Sequence, residues 1–125
     1  MILVDTSVWV DHFRRSDARL ARLLERGTVV MHPFVVGEIA CGNLADRGSI
    51  LGLLRNLPAA RMAEEDEVLG FIERHDLHGR GVGYVDVHLL AAVALTSGAT
   101  LWTRDKRLRA AAEDLGCTFA DGLAH

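Results

Sequence analysis

Apolar positions fall into short unbroken runs and helical stripes, and the two alternate along the chain. Ile2, Leu3 and Val4 form a run without alternation, the pattern of a strand buried on both faces of a parallel sheet. Asp5 follows at once, where the strand gives way to a helix over Ser7 to Phe13. Ser16 or Asp17 caps a second helix reaching about Arg26, with Leu20, Leu23 and Leu24 as its apolar face. Arg15, Arg19, Arg22 and Arg26 recur at helical spacing on another face. Gly27 closes this helix, and Thr28 to Met31 forms a β-branched strand. Pro33 sits where a first helical turn accepts it, and a helix follows from Phe34 to Gly42, extending at most to Ala45. The pattern then predicts a helix over Ser49 to Asn56, a short strand at Ala60 to Met62, and an acid-headed helix from Glu64 to about Asp76. Leu77 to Gly83, with three glycines, is a loop. A strongly apolar helix runs from Tyr84 or Val85 through Leu95. Ala99 to Thr103 is a strand, Arg104 to Leu115 a helix stopped by Gly116, and Cys117 to Phe119 a last strand. Alternating strands and helices imply an α/β fold whose parallel sheet is covered on both faces.

Composition narrows the class. A chain of 125 residues with half of them hydrophobic predicts one globular domain over 1–125, large enough for a real core. No apolar run approaches the ~20 residues that span a bilayer. The start has neither a basic n-region nor a small-residue cleavage pattern, so a cytoplasmic protein with no membrane association is expected. Cys41 and Cys117, widely separated, offer no disulfide framework and no zinc pair, and read as two buried thiols in a reducing compartment. The net charge of −3 argues against a generic nucleic-acid coat protein. Glu64-Glu65-Asp66-Glu67 holds four of the negative charges, without which the balance is slightly positive; a helix dipole favours acids in a first turn. Lys106 is the one lysine, and a preference for Arg suits bidentate contact with phosphate.

Four acids stand out by where they fall. Asp5 ends the first strand, and Asp105 comes just after the strand at Ala99 to Trp102. Asp86 heads the apolar stripe Leu89, Leu90 and Val93. Each of these three, taken singly, is explained by helix N-capping, worth about 1 kcal/mol. Glu38 is not. Its helical neighbours Phe34, Val35, Cys41 and Gly42 put it on an inward face, where it needs a cation, several donors or a buried Arg. Taken together, Asp5 and Asp105 should converge at one edge of the sheet, where functional groups of open α/β folds gather. Clustered carboxylates raise one another's pKa unless a cation neutralises them, and an all-oxygen set suits Mg²⁺ or Mn²⁺ over zinc.

The chain resembles the PIN-domain ribonucleases, and within them the VapC-type toxins of toxin–antitoxin pairs. The matching segments are Leu3-Val4-Asp5-Thr6-Ser7, the helix around Glu38, Asp86-Val87-His88-Leu89-Leu90-Ala91-Ala92, and Leu101-Trp102-Thr103-Arg104-Asp105. They span almost the whole chain in the right order. The resemblance implies a three-layer α/β/α PIN-like domain with a short, mostly parallel central sheet. It implies Asp5, Glu38, Asp86 and Asp105 as the catalytic, metal-binding acids, with Thr6, Ser7 and Thr103 as supporting residues. It further implies Mg²⁺-dependent (or Mn²⁺-dependent) hydrolysis of single-stranded or looped RNA, a homodimer, and inhibition by a VapB-like antitoxin. The sequence departs from some relatives at Arg107, where they carry a further acid.

Other residues weigh less. Trp9 and Trp102 read as core, and His12, His32, His75, His78 and His88 show no zinc spacing; His88 is expected to be exposed beside the site. Arg15, Arg19 and Arg22 could track RNA phosphates or form a solvated helix face; Arg104, Lys106, Arg107 and Arg109 lie beside a proposed catalytic acid and suit phosphate better. A phosphoaspartate hydrolase would place an acid two residues after Asp5, where Ser7 stands. The alternative is a non-catalytic α/β binding module whose acids are caps and salt-bridge partners.

Overall fold

A computed structural model describes residues 1–120; positions 121–125 of the expected domain lie outside them. Strand β1 (Ile2–Val4) is central and pairs in parallel with β2 (Val29–Val30) on one side and β3 (Thr100–Trp102) on the other. Successive strand residues point to opposite faces. All three residues of β1 are buried, so both faces of the sheet are covered, as its unbroken apolar run requires.

Helices α1 (Thr6–Arg14), α2 (Ala18–Glu25), α3 (Pro33–Cys41), α4 (Arg47–Arg55), α5 (Glu65–Arg74), α6 (Tyr84–Leu95) and α7 (Lys106–Asp114) complete the described fold. Asp17 caps α2 by accepting from the Arg19 and Leu20 amides. The Glu64 amide donates to the Glu67 carboxylate at 2.9 Å, so the acid block is the first turn of α5. His32 caps α3: its Nδ1 accepts from the Phe34 amide at 3.0 Å. The proton of this neutral ring therefore sits on Nε2, which is buried without a partner. Burial, reinforced by His88, lowers the His32 pKa to about 4.

Several expectations need correction. The strands expected at 60–62 and 117–119 reduce to single parallel bridges, Met31 to Ala59 and Leu101 to Thr118. The Arg61 amide turns to the Thr96 hydroxyl, and the Cys117 amide closes on Ala112 O after the positive-φ turn at Gly116. Cys41 is exposed and Cys117 half-buried; neither is a core thiol. Arg15 lies beyond the end of α1 with an extended backbone and is not on α2, so the arginines do not form one stripe. His88 is buried. Both tryptophans are core, as expected.

Candidate active site

The carboxyl end of β1 delivers Asp5 to the edge of the sheet, its amide donating to Trp102 O of β3 at 2.9 Å. Asp5 occupies the N-cap position of α1, yet its side chain makes no capping bond. Its Oδ2 instead accepts from the hydroxyls of Ser7 (2.8 Å) and Thr103 (2.7 Å). Thr103 Oγ1 in turn accepts from the Asp105 amide, and Ser7 Oγ from the Arg104 amide, both at 3.1 Å. Residues 5–7 and 103–105 are thus one hydrogen-bonded unit, with Asp5 only 6% exposed at its centre.

Glu38 is placed differently from expectation. The buried face of α3 carries Val35 and Ile39, and Glu38 is exposed, because it shares its face with the half-buried Phe34 rather than with the core. No ion pair reaches it among the described residues, which disposes of the buried-Arg reading. Its Oε1 accepts from the Thr6 hydroxyl at 2.7 Å. Asp86, half-buried, accepts at Oδ2 from the Gly83 amide at 3.3 Å. Asp105 caps α7, with Oδ1 accepting from the Leu108 amide at 2.9 Å.

All four acids therefore follow one rule. One oxygen is held by an O–H or N–H of the chain, and the second accepts nothing from the described residues. The four also feel one another. The Asp86 pKa is raised first by burial and then by the charges of Asp5, Asp105 and Glu38, against the Gly83 hydrogen bond that lowers it. No Lys or Arg pairs with any of them among the described residues. Four mutually repelling carboxylates with free oxygens suit a hard divalent cation in charge and donor type. As they stand, no three of the described His, Cys, Asp or Glu side chains are close enough to share an ion.

The raised pKa of Asp86 has a definite sign in stability. Its protonated form is favoured in the fold, so its contribution is full below the unfolded pKa and is lost as pH rises through the folded one. Without divalent metal, Asp86→Asn should gain stability over wild type as pH is raised from the acid range to neutrality. Parallel melting curves across that range test this; a constant difference would contradict the raised pKa.

The arginines divide. Arg104 donates to Asp11 Oδ2 and Asp17 Oδ2, both at 2.6 Å, and lies over the Trp102 ring. Arg19 also lies over Trp102 and pairs with Asp17. Arg104, expected to reach RNA phosphate, has its guanidinium engaged in tying the post-β3 loop to α1 and α2. Sequence reasoning missed Asp11 and could not link it to a residue 93 positions away. Arg15, Arg22 and Lys106 are exposed.

A family model described as PIN domain matches residues 2–114. Ribonuclease VapC32 from each of two strains of Mycobacterium tuberculosis is 50% identical over 124 residues, covering 99% of this chain and 100% of the relative.

Proposed function

Because the chain belongs to the PIN-domain family, among its VapC-type ribonucleases, we propose that it is the endoribonuclease toxin of a type II toxin–antitoxin pair, hydrolysing RNA at the carboxylates of Asp5, Glu38, Asp86 and Asp105. The observation that carries this reading is the shared state of the four acids: each half-tied by the chain, none paired with a cation among the described residues, and three of them raising the pKa of the fourth. These four would hold Mg²⁺ or Mn²⁺. When bound, such an ion supplies Lewis acidity toward a phosphoryl oxygen.

The chain's own residues do the positioning. Ser7 and Thr103 fix the rotation of the Asp5 carboxylate, Thr6 orients Glu38, and the Gly83 and Leu108 amides hold Asp86 and Asp105. No side chain is required as a covalent nucleophile; water is the attacking group. Cleavage of RNA by the purified protein should need Mg²⁺ or Mn²⁺ and stop in EDTA. Activity that persists in EDTA, in a preparation free of other ribonucleases, rules out the metal. Absence of metal-dependent cleavage on any RNA would return the chain to the binding-module alternative.

Of the cations expected to reach RNA, Arg15, Arg22 and Lys106 are exposed and in no ion pair among the described residues. Replacing Arg15 and Arg22 together by Gln should flatten the salt dependence of RNA binding by about 0.7 in logarithmic slope per lost phosphate contact. An unchanged slope assigns both to a solvated surface. For partners, a VapB-like antitoxin and a second copy of the chain follow from the family. A protein partner is supported by the apolar groove of Trp9, Phe13, Leu24, Ile50 and Leu57, beside which Leu53 is 69% exposed. No helix among the described residues is long and apolar enough to cross a membrane.

A further inference from the structure

Among the Phe, Tyr and Trp rings of the described residues one is exposed, and it stands beside the acids. Both tryptophans and Phe71 are buried, and Phe13, Phe34 and Phe119 are partly covered, whereas Tyr84 is 48% exposed. Tyr84 opens α6, a helix whose Val87 to Val93 are all buried. The amide just before it, that of Gly83, is the one that holds the Asp86 carboxylate. Its ring meets His88 in a T-shaped contact at 4.6 Å, and His88 meets Phe34 at 4.7 Å. Phe34 lies one turn before Glu38 on α3. An aromatic row therefore runs from the first turn of α6, which carries Asp86, to the helix of Glu38, with Tyr84 as its solvent end.

Charge makes such a ring useful here. Four carboxylates repel a phosphate backbone, and the chain as a whole is at −3. Attraction next to the acids has to come partly from something other than charge. The faces of unpaired nucleobases stack on aromatic side chains whatever their sequence, at about 1–3 kcal/mol per base. The approach is flanked by a cation. Gly81, at φ +80°, is so closely covered by Arg107 that an added Cβ would come 2.5 Å from its Nη1. Arg107 thus lies on the loop that leads into Tyr84.

We propose that Tyr84 is a stacking platform for an unpaired nucleobase of the substrate, beside the carboxylate cluster. This rests on the ribonuclease reading. Stacking acts on bound substrate, so Tyr84→Ala should raise KM and Kd for short single-stranded RNA of randomised sequence by roughly 5- to 100-fold. Its kcat at saturation should stay within about threefold, since uniform binding alone is lost. Tyr84→Phe and Tyr84→Trp should restore affinity, and Tyr84→Leu, which keeps apolar bulk without a ring, should not. An abasic strand of equal length and charge separates stacking from general damage: wild type should prefer RNA to it, and Tyr84→Ala should lose that preference while binding the abasic strand as wild type does. Fluorotyrosine at the one tyrosine of the chain gives a single fluorine signal, which should shift with RNA and not with the abasic strand, in an otherwise unaltered fold. If wild type binds RNA but its fluorine signal stays still, or Tyr84→Leu matches Tyr84→Phe, the platform is wrong and the ribonuclease reading stands. A wild type that neither binds nor cleaves RNA overturns both.

Discussion

Asp5→Asn should lose RNA cleavage by about 10²–10³-fold or more and still fold. The substitution keeps the shape of the side chain and one acceptor oxygen for the hydroxyls of Ser7 and Thr103, which now converge on Oδ2. What it removes is the negative charge at the most buried of the four acids. Its melting point in EDTA should stay near that of wild type, a difference equivalent to about 1 kcal/mol or less, because packing and hydrogen bonds survive. Wild type should gain stability with Mg²⁺, by about 2.7 kcal/mol when the ion is at a hundred times its Kd, and the variant should gain far less. Normal turnover by a well-folded Asp5→Asn protein would remove this carboxylate from the chemistry.

Glu38→Gln should cost about 10²-fold or more in cleavage and nothing in metal-free stability. The Thr6 hydroxyl that donates to Glu38 Oε1 can donate equally to an amide oxygen. Two like charges ~5 Å apart repel by about 3 kcal/mol at an effective dielectric near 20, and by under about 1 kcal/mol in water. Glu38 is exposed, so the weaker figure governs, and the variant should melt at or slightly above wild type in EDTA. With Mg²⁺ the order should reverse. A variant that melts several degrees lower in EDTA while cleaving normally would make Glu38 a structural residue.

The fold was legible where hydrophobic pattern and end signals agreed. Helix α6 lies over Tyr84–Leu95, as its apolar run predicts, and Asp17, Pro33 and the acid block mark three other helix starts. The failures have a common cause, which is that burial is decided by tertiary neighbours. Glu38 has apolar residues around it on a helical wheel, yet α3 turns Val35 and Ile39 inward and leaves Glu38 at the rim. His88 looks like an exposed polar residue until Phe34, Tyr84 and His32 are seen packed around its ring. Arg104 beside Asp105 invites a phosphate contact, and only the folded chain shows its guanidinium already engaged by Asp11 and Asp17. Of the candidate site, strand ends and helix starts located the acids. Which oxygen of each is tied, and by what, depends on contacts between α1, α3 and the loop after β3.

The hydrogen bond from Thr103 to Asp5 joins positions 98 residues apart, and that separation is also an interval of time. A ribosome adds about 5–20 residues per second, so Asp5 precedes Thr103 by roughly 5–20 s. Through that interval β1 lacks β3 beside it, and the Asp5 carboxylate lacks one of its two hydroxyl donors. Asp105 has not been made at all. On the ribonuclease reading, the growing chain is inert toward the messenger it is read from and the ribosomal RNA around it until its final stretch has been added. Ribosome-bound chains halted before Thr103 should therefore cleave nothing, and cleavage by such a chain would mean the site assembles without its last strand. The order of residues along the chain is in this sense a delay built into the protein's own synthesis.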